Sequence, residues 1–171
     1  MQPILDRILT INLIGSTLVF YVAARLYLLP RLGKLEPRSV LVPVFLLHSF
    51  RHLGLMFLTR GAVDPGMPPR FAYPAALGDL ITAGLAFACI PLVRRNWSTG
   101  RPLVWTFNIF GTLDLVAAIT LATIYQAPVF MGPAYWIPAF WVPALLVTHY
   151  VTFIVLRRHG ASGMAARFQS S

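Results

Sequence analysis

Three ionisable side chains occupy the middle of an apolar stretch, in the sequence LLHSFRHLGL of residues 46–55. His48, Arg51 and His52 are spaced i, i+3 and i+4, which places them on one face of an α-helix. An arginine in such a place could bind an anionic group or tune a neighbouring carboxylate, and the histidines could relay protons. Two histidines at i, i+4 could instead hold a first-row metal together with an aspartate.

Other apolar stretches carry polar residues at comparable depths. Counting along each stretch from the end nearest its basic flank predicts two polar layers, one above the other. The inner layer contains His48, Asn108 and His149, and the middle layer contains Arg51, His52, Asp79 and Asp114. Because several separate stretches contribute to these layers, we expect the polar residues to meet inside the fold and to form a shared site.

The charged residues of the middle layer are expensive to bury. Each Arg or Asp at the centre of a bilayer costs about 2.5–3.5 kcal/mol, so Arg51, Asp79 and Asp114 together cost about 8–10 kcal/mol. An ion pair between the guanidinium and one of the carboxylates offsets part of this cost, and the sequence does not determine which carboxylate it is. One negative charge then remains. A protonated histidine, a bound cation or protonation of the carboxylate would balance it.

The composition shows which elements must position these residues. Of the 171 residues, 57% are hydrophobic and 11% are charged, whereas soluble domains carry about 25% charged residues. Five apolar stretches are close to the ~20 residues needed to cross ~30 Å of hydrocarbon as a helix, and they cover residues 8–29, 40–58, 71–93, 103–125 and 135–156. Lipid requires every backbone polar group to be paired internally, which favours helices. We predict an all-α integral membrane protein, a five-helix transmembrane bundle in a single domain over residues 1–171, with a flexible tail at 160–171.

The basic residues predict the orientation of this bundle. Nine Lys or Arg residues lie on one side of the expected bundle and three on the other, and two more fall inside helices. The positive-inside rule therefore puts the N-terminus outside and the C-terminus in the cytoplasm. The net charge of +9 is spread over the ends of apolar stretches, which indicates contact with the lipid bilayer and not with nucleic acid. Arginine outnumbers lysine 13 to 1, a bias typical of high-GC bacteria, so we expect the bacterial inner membrane.

Smaller features concern helix packing. Small residues share a face with Asp79, which favours close contact with a neighbouring helix; they are Ala75, Ala76, Thr82, Ala83 and Ala86. Pro143 should leave the carbonyl of Ala139 without its helical partner and bend the fifth helix.

Cys89 is the only cysteine, so the chain has no internal disulfide. The sequence contains no CxxC, HExxH, Walker or GxGxxG motif.

These observations favour a buried site that binds a small ligand or moves protons or ions within the bilayer. In this interpretation Arg51 is the anchor or counter-ion, Asp79 and Asp114 accept the proton or cation, and the histidines are relays. Asn108 contributes a hydrogen bond within the same site.

Three alternatives remain open at this stage. In a redox subunit, His48 and His149 would be axial haem ligands, or the candidates His48, His52 and His149 would bind a first-row metal. In a structural or assembly subunit of a larger membrane complex, the polar layers would hold helices together, with a homo-oligomer or another membrane subunit as partner. In a lipid-modifying enzyme, the same residues would supply general acid–base chemistry.

Overall fold

The computed structural model describes residues 2–168, and the side chains of residues 7–159. Five helical stretches within it are long and apolar enough to cross a membrane, namely Arg7–Arg31, Pro37–Leu58, Pro69–Arg95, Trp97–Ile124 and Gly132–His159. The part of the chain described here forms no strand, and only an isolated bridge joins Arg60 and Val63. The predicted all-helical architecture with five long apolar helices is confirmed.

All five long helical stretches begin earlier than hydropathy alone predicts, and the first, third and fifth also end later. The α-helices are α1 (Gln2–Ala23), α2 (Pro37–Ser49), α3 (Pro69–Arg95), α4 (Trp97–Ile124) and α5 (Val142–Phe168). Proline is the first residue of α2 and of α3, a position where its missing N–H costs nothing. Asn96 caps α4, because its side-chain oxygen accepts a hydrogen bond of 2.9 Å from the backbone N–H of Ser98. Polar turns of this kind at the ends of a helix are not detected when helices are predicted from apolar runs.

The first and the fifth long stretches contain irregular helical turns. The first continues from α1 through a π-helical turn (Ala24–Leu28) and a 3-10 turn (Leu29–Arg31). The fifth begins with a 3-10 turn (Gly132–Tyr135) and a π-helical turn (Ile137–Trp141) before α5. Pro143 is the second residue of α5, so the irregularity expected near this proline lies in the turn before it. Helix α5 continues through residues 160–168 of the expected tail, whose last three residues lie outside the described part and whose flexibility stays a prediction.

The second stretch changes its helical form at the polar residues. Helix α2 ends at Ser49, and a 3-10 helix follows over Phe50–Leu58. Side chains three apart are eclipsed in a 3-10 helix, which has three residues per turn. The buried residues of this segment follow that period, since they are Arg51, Gly54 and Phe57. This single row packs against α3.

Two apolar clusters enclose the polar residues from both sides along the helix axes. The inner cluster includes Leu41, Phe45, Ala86, Val104, Phe107 and Val151. The outer cluster includes Phe57, Phe71, Ala75, Ala122, Met131 and Ile137. Along each contributing helix, the polar residues fall between these two sets. The small residues expected on the Asp79 face of α3 are buried there, as predicted.

Candidate functional site

Arg51 lies at the centre of the polar residues and uses all three of its guanidinium nitrogens. Its Nε donates a hydrogen bond to Asp79 Oδ1 at 2.6 Å, and Nη2 donates to Asp114 Oδ2 at 2.5 Å. Nη1 donates to the backbone carbonyl of Gly111 at 3.2 Å. The side chain of Arg51 is completely buried. Both aspartates therefore pair with one arginine, which answers the question that the sequence left open.

His149 completes the surroundings of the guanidinium. The Asn108 side-chain amide donates to the His149 backbone carbonyl at 3.3 Å, which fixes the amide orientation because a carbonyl only accepts. Asn108 Oδ1 then faces His149 Nδ1 at 2.7 Å, so Nδ1 is the donor. The lone pair of Nε2 is left facing Arg51 Nη1, 3.4 Å away. This network assigns His149 as a neutral acceptor beside the cation.

His48 packs on His149 without touching the ion pairs. The two ring centroids are 4.3 Å apart, and His48 Nε2 lies 2.9 Å from Thr148 Oγ1. The Thr148 hydroxyl lies 2.9 Å from the Ala144 carbonyl, its acceptor within the helix, so it accepts from His48 Nε2–H. The other ring nitrogen, Nδ1, is buried and has no hydrogen-bond partner among the described residues. His48 thus keeps an unused acceptor inside the fold.

His52 does not join this cluster. Its side chain is exposed, and its Nδ1 lies 2.9 Å from the carbonyl of Ser49. The expected common face of His48, Arg51 and His52 assumed an α-helix of 100° per residue. The 3-10 helix from Phe50 onward turns by about 120° per residue and rotates His52 away. The structure brings the six other residues of the two predicted layers together in one connected cluster.

Three glycines make room for the cluster, and of these the sequence pointed only to Gly111, which lies between the directions of Asn108 and Asp114 on its helix. A Cβ on Gly54 would overlap with the carboxylate of Asp79, and a Cβ on Gly78 would overlap with that of Asp114. A Cβ on Gly111 would lie 2.7 Å from His149 Nε2. The sequence signal was available, because a glycine lies within three residues of each buried charge. These glycines let the backbones approach until the short Asp side chains reach Arg51.

The two carboxylates carry more negative charge than Arg51 compensates. With both ionised and His149 neutral, the Arg51–Asp79–Asp114 group has a net charge of −1. The remaining oxygens, Asp79 Oδ2 and Asp114 Oδ1, take part in no hydrogen bond within the described part of the chain. The side chains of Asp79 and Asp114 keep 15% and 12% of their accessible surface, so both remain reachable.

Asp79 also lines an apolar cavity of about 290 Å³. The cavity lies between α1, α3, α4 and the beginning of the fifth stretch, and it extends from Asp79 toward the outer cluster. Its walls include Leu13, Phe57, Phe71, Ala75, Ala118 and Ile137. A carboxylate at the end of an apolar cavity is an arrangement that orients a ligand by one polar contact.

The residues do not fit a haem or a metal ion. Two axial histidines lie on opposite sides of the iron with bonds of about 2 Å each, which rings with centroids 4.3 Å apart cannot form. Across the described residues, no three His, Cys, Asp or Glu side chains are grouped to hold a metal. The three candidate histidines also point to different partners, and the Arg51 cation adjoins His149. Each guanidinium nitrogen of Arg51 already has a partner within the cluster, so an anion would have to compete with these groups for the arginine.

Comparison with known proteins gives a family. The profile of a family described as a domain of unknown function (DUF8737) matches residues 8–157. The chain belongs to the DUF8737 family. No curated protein and no solved structure matches it. The match includes the greater part of all five long helices and every residue of the Arg51 cluster, so the cluster lies within the DUF8737 domain.

We predict that Gly78→Ala destabilises the protein by about 1–3 kcal/mol, the usual cost of forcing an extra methyl group into a packed interior. The added methyl group would displace the Asp114 carboxylate from Arg51. Gly84→Ala is the matched control, because Gly84 lies on the same helix with open space around it. Thermal unfolding in mild detergent measures both. Equal stability of the two variants would contradict the close packing around Asp114.

The charge count leads to a second prediction. Asp79→Asn or Asp114→Asn leaves one carboxylate for Arg51 and a neutral group, so each single variant should change stability by less than about 1 kcal/mol. The double variant leaves Arg51 buried without a counter-ion and should lose about 3–5 kcal/mol. Chemical unfolding followed by circular dichroism gives the three values. If a single substitution costs as much as the double one, the second carboxylate is not surplus.

Proposed function

We propose that this protein spans the bacterial inner membrane and that its buried site reversibly binds one positive charge, either a proton or the cationic group of a small ligand. The observation that carries the proposal is the sharing of one fully engaged guanidinium by two carboxylates. Asp79 and Asp114 are the acceptors of the bound charge, and Arg51 is the fixed counter-ion that keeps the pair within the fold.

Energetics support binding over a purely structural role. In surroundings of low polarity, an uncompensated charge is much more costly than it is in water. A structural clamp needs one carboxylate for one arginine, and the second carboxylate makes a clamp worse unless it has another use. A proton or a cation at the site removes the net charge. The residual accessibility of both carboxylates gives that cation a way in.

The histidines offer a route for protons on one side of the site. His48 lies nearer than Arg51 to the basic end of α2, and its Nδ1 is a buried acceptor with no partner within residues 7–159. Its ring packs on His149, which in turn contacts Arg51. Neutral histidines can take up and release protons between neighbouring groups. We infer that His48 and His149 are relays between the carboxylates and the cytoplasmic side.

The orientation within the membrane is part of the proposal. The excess of basic residues on one side supports an external N-terminus and a cytoplasmic C-terminus. We expect a green fluorescent protein fused after the last residue to fluoresce, and alkaline phosphatase at the same place to be inactive. Alkaline phosphatase inserted after Gly61, between α2 and α3, should be active. The reverse pattern of activities would refute the orientation.

Infrared spectroscopy tests the binding of a proton at the carboxylate pair. On acidification of the folded protein, we expect the carbonyl band of a buried, protonated carboxylic acid to appear. Asp79→Asn and Asp114→Asn should each abolish the band, because either substitution leaves a one-to-one ion pair without surplus charge. Asp64→Asn is the control, since Asp64 lies on an exposed loop. A band that survives both site substitutions would exclude the pair as the acceptor.

Transport through the site can be measured separately in proteoliposomes. If the bound charge crosses the membrane, Asp114→Asn should abolish the proton or substrate flux that the natural sequence supports, and Asp64→Asn should leave it intact. Flux that persists in Asp114→Asn would argue against movement through this site.

A further inference from the structure

The cavity beside Asp79 has a distinct chemical character. Among its lining residues, all of them in the described part of the chain, only Asp79 is charged, and the walls are almost entirely apolar. Phe57 and Phe71 meet edge to face in this wall, with ring centroids 5.2 Å apart. Helix α1 supplies another wall of the cavity, with Leu13 and Ile14 among the lining residues.

We propose that this cavity binds a small protonated amine with a compact apolar or aromatic body, and that the ammonium group contacts Asp79. The inference rests on the proposed function, since it names the cation that the carboxylate pair takes. A volume of about 290 Å³ holds roughly ten non-hydrogen atoms if each occupies ~30 Å³, the share of a water molecule in the liquid. The ligand is therefore small.

The charge of the ligand follows from the hydrogen-bonding state of the site. The Asp79 Oδ1 atom is used by Arg51, and Oδ2 is the oxygen left to accept from an ammonium group. An anionic ligand would meet a group of net charge −1 and would find every Arg51 nitrogen already engaged. A neutral ligand could fill the apolar walls but would leave the surplus charge unbalanced. A ligand with an apolar body and a cationic group fits the apolar walls and also balances the surplus negative charge.

The aromatic wall favours a ring in the body of the ligand. Aromatic rings stabilise one another in edge-to-face contacts beyond the effect of burial alone, and Phe57 and Phe71 already adopt that arrangement. The small side chains of Ala75, Ala118 and Ala122 leave the space that a ligand ring would fill. A ring between these walls would place a short aminoalkyl group within reach of Asp79.

Titration calorimetry in lipid nanodiscs tests the inference with probes of matched size. The probes are 2-phenylethylamine, 2-phenylethanol and phenylacetate, which differ in the charge of one end, and protein-free nanodiscs correct for partition into lipid. We expect saturable binding of the amine, with the alcohol and the acid roughly ten- to hundredfold weaker, the range for a hydrogen bond to a charged group. Asp79→Asn should weaken binding of the amine by a similar factor.

A second pair of variants tests the need for open space in the cavity separately from the need for the Asp79 charge. Ala118→Leu places a larger side chain in the cavity and should abolish amine binding, whereas Ala117→Leu, on an exposed position beside it, should not. Absence of saturable amine binding, equal binding of the alcohol, or unchanged binding in Asp79→Asn would overturn the inference. The infrared band of the protonated carboxyl group needs no ligand, so the proposed function can survive each of these results.

Discussion

A guanidinium that is buried completely among apolar helices must find acceptors for its N–H groups inside the protein, because it cannot give up its proton and is not exposed to solvent. Arg51 meets this requirement with the Asp79 side chain on α3, with the Asp114 side chain and the Gly111 carbonyl on α4, and with His149 on α5. One side chain thus joins the second long helical stretch to the three that follow it.

Several features of the backbone become understandable from this requirement. Aspartate is short, so the helices that carry Asp79 and Asp114 must come close to Arg51, and glycines stand at the points of approach. The 3-10 form of Phe50–Leu58 puts Arg51, Gly54 and Phe57 in one row that packs against α3. The same row therefore supplies the buried charge, the glycine that allows close approach and an apolar side chain of the outer cluster. The inner and outer clusters then pack on the two sides of the ion pairs along the helix axes.

The sequence predicted the parts of the structure that depend on composition and on the cost of buried charge. The five long helices and the meeting of Arg51 with the aspartates follow from these two considerations. The sharing of Arg51 by both aspartates could not be predicted, because it depends on how far three backbones approach one another. The prediction that His52 shares the face of His48 and Arg51 was wrong because apolar periodicity does not distinguish a 3-10 segment from an α-helix over one turn. The cavity depends on where α1 rests against the other helices, which no local pattern in residues 8–29 reveals.

The change of helical form at Phe50 also affects the length of the second stretch. A 3-10 helix rises ~2.0 Å per residue and an α-helix ~1.5 Å, so Phe50–Leu58 is about 4–5 Å longer than the same residues would be as an α-helix. That difference is similar to the few ångströms by which natural membranes differ in thickness. Because Arg51 is the second residue of the 3-10 segment, almost all of this added length lies between the charge and the end of the segment at Leu58. In the membrane orientation proposed above, this helical form extends the outer half of the stretch by several ångströms and leaves the distance from the beginning of α2 to the ion pairs unchanged.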